Sequence, residues 1–151
     1  MSVIESTYRR EANGVPITDW LTATKAITYV AGTTGATGAA TLFTVTGDVV
    51  VRLFAKCTSD LTSGGSATIE AGISGNTAAL LAQTAFSVID AGEIWVDATS
   101  PATVEALPGQ FILVGGTDII QTIGTTTITG GVLTYFCLWT PLSEDGNLVA
   151  A

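Results

Sequence analysis

Few residues in this chain are able to do chemistry. Asp90, Glu93 and Asp97 fall within the eight residues of "DAGEIWVD". A pair of carboxylates at the right separation can serve as acid and base in glycoside cleavage, and a group of them can hold a hard cation. On a strand, Glu93 and Asp97 would share a face roughly 13 Å apart, beyond the roughly 5 to 9.5 Å that a glycosidase pair requires. The trio reads first as a solvated acidic rim, and second as a cation site completed by backbone carbonyls. "SEDGN" (143–147) imitates the start of a calcium loop but lacks the later Glu, so it reads as a turn. "GTTGATG" has the glycines of a phosphate loop without its Lys or a following helix.

The chain has no His, which removes the usual general base and the commonest metal ligand. Cys57 and Cys137 are its two cysteines, too few for a zinc site or a disulfide framework. Both lie in apolar alternating stretches and read as reduced core thiols, with a bridge between neighbouring strands as the alternative. Trp20, Trp95 and Trp139 remain. Trp139 alternates with Tyr135 and Cys137 and reads as core. Trp95, set between acids, reads as partly exposed, an interface anchor before a ligand platform. The residues point to no catalytic set, no cofactor and no metal, and an enzyme is the least favoured reading.

The elements that position these residues follow from composition and periodicity. The chain has 151 residues, 47% apolar and 12% charged, with 26 Thr. That length suits one domain with a full core. Charge at about half the usual share suggests a surface largely used by neighbours. All five bases lie in the first 56 residues together with four acids, whereas the other 95 residues carry nine acids and no base. A net charge of −8 disfavours nucleic acid and anionic membrane surfaces as partners. "MSVIESTYRREANGVP" lacks the apolar core of a signal peptide, and no apolar run is long enough for a membrane helix. The expectation is a soluble chain made in the cytosol.

Residues 1–25 show little strand alternation and are expected to form an arm or lead-in. Arg9, Arg10 and Trp20 are its candidate contacts, possible anchors on an acidic surface of a neighbour. From residue 26 onward the pattern is β. "AITYVA", "TLFTVTG", "DVVVRLFAKC", "ATIEAGIS", "AGEIWVDA" and three stretches within 111–140 read as strands, with "TSDLTSGGS", "TSPATVEALPGQ" and two Gly-Gly pairs as loops and turns. "GNTAALLAQTAFSVI" is ambiguous, with an extended reading favoured. Residues 26–151 are therefore expected to form a single all-β domain of eight or nine strands. A jelly-roll-like antiparallel β-sandwich fits best, with an immunoglobulin-like sandwich as the alternative.

One strand raises a question. In residues 132–140, Val132, Thr134, Phe136 and Leu138 form one face and Leu133, Tyr135, Cys137 and Trp139 the other. Neither face is wet. Phe136 and Leu138 on the first face are candidate contacts, and what covers that face is left open by the alternation itself.

Three segments, "TGDVVVRLFAKCTSDLTSGGSATIEAGISGNTAALLAQT", "IDAGEIWVDATSP" and "GTDIIQTIGTTTITGGVLTYFCLWTPLS", together resemble the capsid decoration (cement) proteins of tailed bacteriophages. The resemblance spans about residues 45–145. It implies a β-rich trimer on the capsid exterior, bound to the phage major capsid protein and helping to hold capsomers against internal pressure, on a virion assembled in the host cytoplasm. Another virion part (tail, collar or fibre base) and a carbohydrate-binding jelly roll are the competing readings. The last predicts an exposed aromatic platform at Trp95 or Tyr135.

Overall fold

The computed structural model describes residues 20–151. Among them are ten strands and one short turn of 3-10 helix: β1 Leu21–Thr28, β2 Gly38–Thr46, β3 Val49–Ser63, β4 Thr68–Ile73, β5 Asn76–Ala85, the 3-10 turn Phe86–Val88, β6 Ile94–Trp95, β7 Phe111–Leu113, β8 Ile119–Gly124, β9 Ile128–Pro141 and β10 Asn147–Ala150. All pairings are antiparallel. One sheet runs β1-β9-β3, with β6 and β7 both on the far side of β3; the other runs β10-β2-β8-β4-β5.

The order follows one rule. β4 pairs with β5, β3 with β6 and β7, β2 with β8, and β1 with β9. The pairs nest about the β4–β5 hairpin, so the chain behaves as one long hairpin rolled into two sheets. This is the jelly roll. In an immunoglobulin-like sandwich the first strand pairs with the second, whereas here β1 pairs with β9, and that alternative is dropped.

Period-2 alternation sets the core. On β3, Val49, Val51, Leu53, Ala55 and Cys57 are buried, while Val50, Arg52 and Phe54 are half-buried and Lys56 is exposed. On β9, Leu133, Tyr135, Cys137 and Trp139 point inward. Cys57 lies opposite Leu133 and Cys137 opposite Leu53, so the thiols are not neighbours across the ladder, and both are free.

Several boundaries differ from the sequence reading. β1 begins at Leu21, inside the expected arm, because its apolar Leu21, Ala23 and Ile27 pair along β9. "TSDLTS" is not a loop but the end of β3, held by Thr- and Ser-rich pairing to the start of β9. Gly130–Gly131 is a bulge within β9, not a turn. Gly131 sits at φ 104°, and a side chain there would meet the Asp60 carbonyl at 2.4 Å. The tail supplies β10, which pairs with β2. β6 is only two residues long, since the backbone leaves β3 after Trp95.

Candidate interaction surface

The described carboxylates of "DAGEIWVD" serve the loops. Glu93 Oε2 accepts from the Asp90 amide at 2.7 Å, and Asp97 Oδ1 from the Thr99 amide at 2.7 Å. β6 ends before Asp97, so Glu93 and Asp97 do not share a strand face. Among the described residues, no group of three His, Cys, Asp or Glu side chains is placed to hold a metal ion. Glu70, nearly buried on β4, accepts hydrogen bonds from Thr77 and Gln83 of β5.

The polar groups of the interior tie the two sheets together. Tyr29 and Tyr135 both donate their hydroxyls to Gln121 Oε1, at 2.8 and 2.9 Å. Trp95 Nε1 donates to Thr84 Oγ1 at 3.0 Å. Burial pushes the Cys137 thiol up to about 12 and raises the Cys57 thiol and both tyrosine hydroxyls. These groups hold their protons at neutral pH, so the thiols are poor nucleophiles.

Trp95 is not the partly exposed anchor that its acidic neighbours suggest. It is fully buried, edge-on to Tyr135 at 6.1 Å between ring centroids. Neither Trp95 nor Tyr135 is an exposed platform, which removes the aromatic surface that the carbohydrate reading named. Trp95 was expected outside because acids flank it; β6 is too short to expose it, and its register opposite Ala55 turns it inward.

The outer face of the β1-β9-β3 sheet is where the other contact candidates lie. Phe136 stacks on Phe54, with centroids 5.2 Å apart and planes inclined by 14°. The Trp20 ring lies 5.2 Å from the guanidinium carbon of Arg52, a cation–π contact. Leu138 stands opposite Arg52. The chain itself thus covers part of the face that carries Phe136 and Leu138, leaving both half-buried. Arg9 and Arg10 lie outside the described residues.

Sequence reasoning missed the most exposed apolar stretch. Of the ten large apolar side chains exposed among the described residues, Val104, Leu107, Phe111, Ile112 and Val114 fall within eleven positions. They belong to the long β6–β7 connection, to β7 and, for Val114, to the residue that follows it. Ile112 stands opposite Val50 on the outer face. Nearer β6, Leu107, Pro108, Phe54, Ile94 and Val96 line a groove of about 200 Å³. The available signal was "LPGQFILVGG": four apolar residues between a Pro-Gly and two glycines make a short edge strand, not a core strand.

Fold and surface together define a jelly roll in which five of the ten exposed large apolar side chains among the described residues fall within residues 104–114. No family model matches the chain, and no curated protein matches it in sequence. Solved structures match it in shape. A chain of the acidic stable capsid structure of Helicobacter pylori bacteriophage KHP30 superposes with a TM-score of 0.52 over 87% of this chain and 94% of that one, at 8% identity. A chain of the cyanophage Pam1 capsid asymmetric unit gives a TM-score of 0.41 over 81% and 85%, at 19% identity. At 8% identity, the first match is a likeness of fold.

Proposed function

We propose that this protein is a non-enzymatic virion component that decorates and stabilises the exterior of a phage capsid as a homotrimer, bound to the major capsid protein. The observation that carries the reading is the end-to-end likeness of its jelly roll to a chain of a phage capsid structure, both chains being covered almost whole. The sequence resemblance to decoration proteins points the same way. So does the surface: it is poor in charge, and half of the large apolar side chains exposed among the described residues fall in one stretch, residues 104–114. The buried tyrosines, thiols and Trp95 act in the core, and the described acids near Trp95 bond to loop amides.

The test is co-sedimentation of the purified full chain with shells of the phage that encodes it, together with its mass by light scattering across a dilution series. Saturable pelleting with the shells and a mass of three chains are expected. Deleting residues 1–19 should leave the sandwich folded, by circular dichroism, and weaken pelleting. A chain that never pellets with shells but assembles with purified tail or collar parts would replace this reading with another virion role.

A further inference from the structure

We propose that the apolar flank formed by residues 104–114, together with the groove beside Phe54, is the surface on which a second copy of this chain docks. The inference deepens the homotrimer reading above and rests on it.

Val104 is 78% exposed, Ile112 66% and Leu107 54%. Isolated apolar side chains on a surface need no explanation, but five within eleven positions of one connection and its strand are more than scatter, and partners cover surface of this kind. The patch has relief: Leu107 and Pro108 line a groove together with Phe54, Ile94 and Val96. An apolar side chain from a partner would fill it and displace water from both walls.

Charge selects the occupant. The chain carries −8, so two copies repel each other over most of their surfaces. Residues 98–117 hold a single charge, Glu105, and this flank is where two copies meet with least opposition. The one exposed cation of β3, Lys56, is paired in register with Ile94 on the groove wall, while Glu105 lines the same groove. Glu105 thus lines the groove, and Lys56 stands on β3 opposite the groove residue Ile94. A second copy meeting it brings the same two groups, so Glu105 of one copy can face Lys56 of the other. Self-docking supplies both the apolar filling and the opposite charge.

The site also bears on the outer face of β9, whose Phe136 and Leu138 are half-buried within one copy. Phe136 stacks on Phe54, and Phe54 forms a wall of the groove. Filling the groove would extend the aromatic layer of the outer face into the neighbouring copy.

The experiment uses the full chain. Light scattering across a dilution series compares the wild type, Leu107→Asp/Ile112→Asp, Glu105→Lys, Glu105→Lys/Lys56→Glu, and Val149→Asp as a control at an exposed apolar position on β10. Circular dichroism verifies folding of each. The proposal expects an oligomeric wild type, association weakened about tenfold or more by the double Asp variant, weakening by Glu105→Lys that the charge exchange restores, and no change in the control. A double Asp variant that folds and keeps the wild-type mass overturns it, as does a wild type that is monomeric at every concentration. Co-sedimentation separates this inference from the function it rests on. A wild type that assembles through this flank yet ignores shells refutes decoration and leaves the docking surface standing. A monomeric wild type whose pelleting is lost in the double Asp variant assigns the flank to the shell and overturns self-docking.

Discussion

Trp95 Nε1 donates a hydrogen bond to Thr84 Oγ1 across the interior of the sandwich, joining β6 of one sheet to β5 of the other. Both residues are buried, and the Thr84 hydroxyl in turn donates to the Ala82 carbonyl. The indole is thereby fixed at the point where the short β6 leaves its sheet.

Thr84→Val keeps the shape of the side chain and removes the acceptor. It leaves the indole N–H buried without a partner, which costs about 1 to 3 kcal/mol. Urea unfolding should show that loss for Thr84→Val and much less for Thr84→Ser. Equal midpoints for Thr84→Val and the wild type would mean that the Trp95 bond adds nothing to stability.

Gln121 accepts from two tyrosines at once, so its removal should cost more than that of either donor. Gln121→Leu strands the hydroxyls of Tyr29 and Tyr135, at about 1 to 3 kcal/mol each. Tyr29→Phe or Tyr135→Phe removes one bond and leaves Gln121 Oε1 satisfied by the other, for about 0.5 to 1.5 kcal/mol. Chemical denaturation of the three variants tests the ranking. If Gln121→Leu is the mildest of them, the network does not join the sheets.

Alkaline pH should destabilise the fold. Burial raises the Cys137 thiol from 9.0 to about 12 and raises the Tyr29 and Tyr135 hydroxyls above 10.0. The folded protein keeps protons that the unfolded chain sheds, so unfolding releases protons and stability falls as pH rises. This contribution is fully present below about pH 9, where the unfolded thiol is still protonated, and declines through about pH 12. The urea midpoint should drop steadily over that window, with tyrosinate absorbance of Tyr29 and Tyr135 appearing together with unfolding. Tyrosinate formation by these two residues in the folded state, ahead of unfolding, would contradict their burial.

Much of the architecture is legible in local sequence. On β3 and β9, strict alternation of large apolar residues specifies which side chains face inward, because a strand has period 2 and one face must be buried. The absence of His and the scarcity of Cys likewise settle which chemistry the chain's residue types can supply, since composition does not depend on fold.

Tertiary structure decided the rest. The nested pairing of β1 with β9 and β2 with β8 joins segments more than a hundred and about eighty residues apart, and no local pattern encodes which strand becomes whose neighbour. Trp95 illustrates the cost of local reading: acids beside it suggested exposure, but its register opposite Ala55 turned the ring into the core. Leu107 and Ile112 illustrate the converse, apolar residues left outside because β7 pairs over only three residues and the preceding connection skirts Phe54 instead of entering the core. Whether an apolar residue becomes core or contact surface depends on which partner its strand finds across the sandwich, a relation between distant segments that hydrophobicity at a single position does not contain.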